Sequence, residues 1–293
     1  MSHSFVGTEL SSQPEMWRKA ALIAPTFSAA LPQKGERVAV VGCGTSWFIA
    51  MSYAVLREQS GHGLTDAFAG SEFPTGRTYD RIVAISRSGT TTEIVELLSA
   101  IDKTETVVVT AVADSPATYY ARHVVALPFA DEKSVVQTRF ATTALSLLRA
   151  SIGHDVMKLA ADAESALTIP IGDLMSADQV TFVGLGPAIG LTFEAALKTR
   201  EAAQFWAESY PAMDYRHGPI AIAQPGRLVW ALGDLPDGLA EDVEKTGATL
   251  VHHDLDPLAG LIVAQRFAVA LAEQRGLNPD APRALTRSVI LTS

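Results

Sequence analysis

Two stretches of this chain, 142 residues apart, read alike: Val38-Ala39-Val40-Val41-Gly42-Cys43-Gly44-Thr45 and Val180-Thr181-Phe182-Val183-Gly184-Leu185-Gly186-Pro187. Val38 and Val180, Val41 and Val183, Gly42 and Gly184, Gly44 and Gly186, and further on Ala54 and Ala196 coincide. An internal repeat of this length implies two copies of one structural unit. Each copy begins with an apolar run, breaks at a glycine-rich turn and resumes with helical spacing, the opening of an α/β sheet. A chain of 293 residues has room for two such units. The sequence therefore predicts an N-terminal helical segment over 1–36, a first unit over 37–160 and a second over 170–293.

Further strands are expected near Thr65–Ala69, Arg81–Ile85, Thr106–Val112 and His123–Leu127 in the first copy. The second copy adds Arg227–Leu232 and Ala248–His252. Most of these are apolar on both faces, which indicates parallel sheets covered by helices on either side. The spacing predicts helices over 13–30, 47–59, 93–100, 140–154 and 257–275. The tail from Asn278 to Val289 contains two prolines and reads as extended.

The turn after the third expected strand is Ser86-Arg87-Ser88-Gly89-Thr90-Thr91-Thr92. Five hydroxyls around one glycine meet there at a helix N-terminus. Such hydroxyls can cap the helix and fill the turn. Five exceed that need, and hydroxyls, backbone N–H groups and the helix dipole together suit a phosphate. Gly42-Cys43-Gly44 is a G-x-G with Trp47 where a dinucleotide fingerprint needs its third glycine, so a nicotinamide enzyme is not indicated. Gly44, Thr45 and Ser46 instead suit close approach to the same anion. The second copy has Pro187-Ala188-Ile189-Gly190 at that place and offers no hydroxyls.

Its polar cluster lies elsewhere. Glu194, Lys198 and Glu201 share one helix face, with Arg200 and Glu208 nearby and His217 in the following Tyr215-Arg216-His217-Gly218-Pro219 loop. Singly these fit a solvated face with ion pairs and a loop histidine. Together they supply a carboxylate, a cation and an imidazole, the equipment for moving protons on a polar substrate. His252-His253 lacks partners at ligand spacing, so neither a metal nor a cofactor is expected.

The net charge of −9 argues against nucleic acid or an anionic membrane as partner. Cys43 is the single cysteine, so no internal disulfide forms, and it has no basic neighbour in sequence. With no basic-then-apolar leader and no apolar run near the ~20 residues of a bilayer span, a cytoplasmic protein is expected.

The set of motifs resembles the SIS (sugar isomerase) family: the tandem copies, Gly-Cys-Gly-Thr-Ser, Ser-Glu-Phe, Ser-x-Ser-Gly-x-Thr, the 194–201 helix and Tyr-Arg-His-Gly-Pro. Within it the likeness is to the isomerase portion of glutamine–fructose-6-phosphate aminotransferase and to stand-alone amino-sugar-phosphate deaminases and isomerases. The resemblance covers about residues 37–293. It implies two tandem SIS domains, each a doubly wound, flavodoxin-like parallel sheet, a sugar phosphate as ligand and a homodimer with shared active sites. It further implies that Thr45, Ser46, Ser86, Ser88, Gly89 and Thr91 bind phosphate and that Val135, Gln137 and Thr138 approach the sugar. Glu201 would be the base between C1 and C2, Lys198 would support it, and His217 would open the ring from the neighbouring subunit. Glu194 and Arg287 are further candidates.

Two departures matter. About thirty residues precede the first copy and residue 2 is Ser, so ammonia from glutamine is not expected. The family's Schiff-base lysine is Arg287 here, and a guanidinium is a poor amine nucleophile. The expected function is a phosphosugar isomerase or deaminase. The alternatives are a non-catalytic phosphosugar-binding regulator and a deglycase for a sugar-phosphate–amino acid adduct.

Overall fold

The computed structural model describes residues 4–291. In chain order the elements are α1 (Phe5–Ser11), α2 (Gln13–Ile23), β1 (Val38–Gly42), α3 (Thr45–Gln59), β2 (Thr65–Ala69), β3 (Arg81–Ile85), α4 (Thr92–Ala100), β4 (Glu105–Thr110), α5 (Pro116–Tyr120), β5 (His123–Ala126), α6 (Arg139–Ser151) and α7 (Val156–Ala166). They continue with β6 (Gln179–Gly184), α8 (Ala188–Ala203), β7 (Ala207–Pro211), β8 (Arg227–Leu232), α9 (Leu239–Thr246), β9 (Thr249–His252) and α10 (Pro257–Gln274). Two compact units result. The first comprises Ser12–Lys133, Gln137–Met157 and residues 286–291; the second comprises residues 4–11, Ser134–Val136 and Lys158–Leu285.

The first unit holds a parallel sheet in the order β2-β1-β3-β4-β5, with Val41 opposite Ala84 and Val83 opposite Val107. Val38 to Val41 are fully buried, as expected of a strand covered on both faces. Ala39, Val41, Ile82, Ala84 and Val108 pack on Ile94 and Leu98 of α4 and on Ala117 of α5. Alternate residues point to the opposite face. There α3 packs on β1, α6 on α3, and α2 on α6.

The second unit repeats the scheme with β7-β6-β8-β9, also all parallel. Val183, Val229 and Ala231 pack on Leu239 and Val243 of α9, while α8 and α10 pack together and on the sheet. Both sheets are doubly wound. In each, the strand order reverses beside the first strand, between β1 and β3 and between β6 and β8. Ligands of such sheets bind in the crevice beyond the strand ends at that reversal.

The helix expected over 13–30 ends at Ile23. Pro25 supplies no N–H, and the chain continues as a 3-10 turn from Ala24 to Phe27. The helix expected to reach His154 stops at Ser151, ahead of Gly153 at φ +88°. Helix α1 is not visible in the sequence pattern. Its N-terminal amides are capped from far along the chain: Phe5 N and Val6 N donate to the Asp280 carboxylate at 2.9 and 2.8 Å. The same segment is tied to Val135, whose N–H donates to the Asp280 carbonyl at 2.9 Å. Ser134 Oγ donates to the buried Glu9 carboxylate of α1. Among the described residues, no helix is long and apolar enough to cross a membrane.

Candidate functional site

The hydroxyl loop begins where β3 ends. Ser86 and Ser88 are buried at 4% and 7% exposure. Gly89 N donates to Ser86 Oγ and Thr90 N to Ser88 Oγ, each at 3.2 Å, which folds the loop back on itself. Thr90 Oγ1 donates to Ser88 Oγ at 2.8 Å. Gly89 has φ +64°, and a Cβ there would lie 2.0 Å from Ser115 Oγ, so glycine alone fits. Thr91 is the cap residue of α4, yet its side chain makes no capping bond. Helix capping therefore does not account for the Thr91 hydroxyl, while Ser86 and Ser88 each accept from one loop amide.

Beside it, β1 ends at Gly42 and α3 opens on Thr45 and Ser46, both buried. A Cβ on Gly42 would lie 2.4 Å from the Ser46 carbonyl carbon, so the helix starts hard against the strand. Because β1 and β3 are parallel neighbours, Gly44-Thr45-Ser46 and Ser86–Thr91 follow the same edge of the sheet, at the reversal. Cys43 is half-buried. Burial and then the Glu93 charge push its thiol above the ordinary range, against a role as nucleophile.

Two buried charges brace this edge. The Arg87 guanidinium lies 4.0 Å from the Glu132 carboxylate, and both side chains are essentially sealed from solvent. Glu132 Oε1 accepts from Thr138 N at 2.6 Å, Thr138 Oγ1 at 3.0 Å and Arg139 N at 2.8 Å, and Oε2 accepts from Phe140 N at 3.1 Å. It is thus a remote cap for α6, a carboxylate set against the positive end of the helix. Thr138, expected near the sugar, donates its hydroxyl to this cap. Gln137 differs: its Oε1 is buried and without a hydrogen-bond partner among the described residues, an acceptor in want of a donor. Val135 belongs to the second unit, held by Asp280. The bracing role of Arg87 and Glu132 is not apparent from sequence; a cation between two loop serines is the signal that was there to read.

The Arg287 side chain donates to the Asp131 carboxylate and to the Glu132 carbonyl. Its guanidinium is committed to that corner of the protein.

In the second unit, α8 carries the acid–base cluster. Lys198 Nζ lies 3.6 Å from Glu194 Oε1 and donates to Glu201 Oε2. Glu194 and Lys198 are 0% and 2% exposed, so this is no solvated face. The Glu201 side chain keeps 18% exposure and is the member that a substrate can reach. Buried ion pairs are often no more stabilising than apolar residues of the same volume, so their presence points to a role beyond packing. On the same helix, burial lowers the Arg200 guanidinium from its usual range, and Arg200 Nη1 donates to the Ala207 carbonyl at 2.8 Å.

Further on, His217 is exposed at the end of a 3-10 turn from Asp214, next to Gly218 at φ +142°. Arg216 anchors that turn on Asp242 at 3.0 Å and on the Asp237 carbonyl at 2.8 Å. Tyr215 is sealed beneath, its phenol pushed up to about 12 by burial and then by Glu208 and Tyr210.

Two doubly wound parallel units in this order define an SIS-type fold, and comparison with known proteins gives the same fold. The chain resembles the glutamine–fructose-6-phosphate aminotransferase (isomerizing) of Sulfolobus acidocaldarius, 27% identical over 296 residues, covering 86% of this chain and 50% of that protein. It spans about half the length of the curated relatives it matches. Among solved structures it superposes on glucosamine-6-phosphate deaminase from Thermotoga maritima with a TM-score of 0.79, at 23% identity, over 98% of this chain and 100% of the other. It superposes on tagatose-6-phosphate ketose/aldose isomerase from Escherichia coli with a TM-score of 0.81, at 17% identity, over 99% and 97%. No protein-family model matches the chain.

Proposed function

We propose that the chain is an enzyme acting on a sugar phosphate, of the aldose–ketose isomerase or amino-sugar-phosphate deaminase type. The observation that carries this is the gathering of five hydroxyls at the β1/β3 reversal, where Thr91 heads α4 without making a capping bond. The proteins it resembles are named for 6-phosphate sugars, which supports the same reading.

In this reading Ser86, Ser88 and Thr91, with the Gly89 amide and Gly44-Thr45-Ser46, hold the phosphate. Gln137 accepts from a sugar hydroxyl, with Val135 and Thr138 alongside. Glu201 removes the proton from C2 of the open-chain sugar and returns it to C1. Lys198, held in turn by Glu194, fixes the Glu201 carboxylate. His217 moves the proton that opens the ring, acting from a second copy of the chain in a homodimer. With a hydroxyl at C2 the enediol collapses to a ketose. With an amine at C2, protonation at C1 leaves a C2 imine; water adds there and ammonia departs. Arg287 forms no imine with substrate, because a guanidinium stays protonated and this one is held by Asp131.

The test is incubation with glucosamine 6-phosphate, with ammonia and fructose 6-phosphate both assayed. Both products are expected, and Glu201→Gln is expected to lose at least a thousandfold in rate, about 4 kcal/mol, while still binding the sugar. Glu201→Gln turning over like the wild type would remove Glu201 from the mechanism. Binding without turnover by the wild type across a panel of aldose and amino-sugar phosphates would make the chain a sensor.

A further inference from the structure

His217 ends the 3-10 turn Asp214–His217, and that turn is held from two sides. Beneath it, the fully buried Tyr215 packs in one apolar cluster with Leu239 and Val243 of α9. The Tyr215 hydroxyl has no hydrogen-bond partner among the described residues, so packing alone seats that side chain. Beside it, Arg216 Nη2 donates to Asp242 Oδ2 at 3.0 Å and to the Asp237 carbonyl at 2.8 Å. Asp237 lies just ahead of α9 and Asp242 within it, so both bonds end on the same element. Gly238, at φ +75°, leaves the guanidinium its seat: a Cβ there would lie 2.9 Å from Arg216 Nη2. A part-exposed ion pair contributes little to stability. A planar guanidinium that bonds a carboxylate and a carbonyl at one helix end does fix a direction.

We propose that Arg216, braced by Asp242 on α9, is the positioning residue for the His217 imidazole. The inference rests on the reading of His217 as the group that opens the sugar ring. Opening breaks the C1–O5 bond: the anomeric hydroxyl gives up its proton, the ring oxygen takes one up, and C1 becomes a carbonyl. One imidazole can accept the first proton and return it to the ring oxygen, so no other co-reactant is needed. It must face two oxygens on one carbon, so small errors of aim cost much rate. His217 is exposed and makes no hydrogen bond or ion pair among the described residues, so the turn that carries it sets its direction. Arg216 touches no reacting atom in this scheme. Its effect passes through the turn, from α9 to the imidazole.

The experiment follows the interconversion of the two anomers of glucosamine 6-phosphate by exchange NMR in a Glu201→Gln background, where the ring can open while the C2 proton stays. The protein is expected to accelerate interconversion, and a further His217→Ala change to remove the acceleration. Without that pattern the reading of His217 fails, and this proposal with it. Given that pattern, Arg216→Ala and Asp242→Asn are each expected to slow the catalysed interconversion at least tenfold. Arg216→Lys, which keeps a cation for Asp242, should recover most of it. Lys245→Ala, which takes away the other cation on Asp242 and leaves Arg216 its carboxylate, should change nothing. Affinity for inorganic phosphate, a property of the first unit in the proposed function, should be the same in every variant. An Arg216→Ala rate equal to that of its parent would overturn the proposal and leave His217 standing. A loss of phosphate affinity as large as the loss of rate would also overturn it, by making the effect a general loosening of the fold.

Discussion

At the end of β1, Gly44 is followed by Thr45 and Ser46; at the end of β6, Gly186 is followed by Pro187 and Ala188. The helices behind them diverge at matching positions. Where α8 carries Glu194, Lys198 and Glu201, α3 carries Ser52, Leu56 and Gln59, each 142 residues earlier. β3 runs into five hydroxyls, whereas β8 runs into Gly233-Asp234. The strand order is shared, so the reversal fixes only where a ligand can approach. The side chains that follow decide what happens there. In the function we propose, one copy grips and the other moves protons. In that reading, two sheets with the same strand order at the reversal serve two tasks.

The comparison can be tested at matched positions. The largest effect is expected at α8. Lys198→Met takes the Lys198 cation away from the buried Glu194 carboxylate and the half-buried Glu201 and should cost about 3–5 kcal/mol of stability, whereas Leu56→Met, its counterpart in α3, should cost less than about 1.5 kcal/mol. Urea melts of the two variants make the measurement, and equal losses would mean that the charges of α8 have no special standing. The matched glycines come next. A Cβ on Gly42 meets backbone atoms at 2.4 and 2.6 Å, while one on Gly184 meets the Ala188 Cβ and Thr192 Cγ2 at 2.9 and 3.0 Å. Gly42→Ala should therefore destabilise by about 3 kcal/mol or more and Gly184→Ala by about 1 kcal/mol, with thermal melts deciding the order.

At the loops, Ser88→Ala should weaken inorganic phosphate binding about tenfold, near 1.4 kcal/mol, and Asp234→Ala should leave it unchanged. An effect of Asp234→Ala as large as that of Ser88→Ala would erase the distinction between the two reversals.

The smallest effect concerns pH. His253 follows β9, where the first copy has Ala111 after β4. Burial and then the His252 charge lower its imidazole from the usual value, so the unfolded chain takes up a proton more readily than the folded one. That contribution is fully present above the unfolded value of about 6.5 and is lost as pH falls through the lower folded value. His253→Phe should flatten the stability profile between neutral and mildly acid pH relative to the wild type. A profile with unchanged slope would assign the acid sensitivity to other groups.

Much of the fold was legible. β2 and β3 occupy the spans expected: β3 because a strand buried on both faces leaves a continuous apolar run, β2, an only partly buried edge strand, because its run ends at turn residues. The position of the hydroxyl loop between β3 and α4 was legible, because an apolar run stops at it and helical spacing begins after it. Burial of Glu194 and Lys198 was not: charges three and four residues apart look the same whether water or packed helices lie beyond them. Glu132 capping α6 from seven positions before its first residue, and Ser288 resting on Thr90, are tertiary pairings that no local pattern marks.

Asp280 sets a condition on the other end of the chain. Helix α1 has seven residues, well short of the roughly 12–15 that even a good sequence needs to be marginally helical in water. Its first amides are satisfied by a carboxylate 275 residues away. On the ribosome, that cap does not exist until Asp280 has been made. Helix α1 therefore gains its cap only through a pairing with Asp280, and its formation waits on the segment that carries that carboxylate.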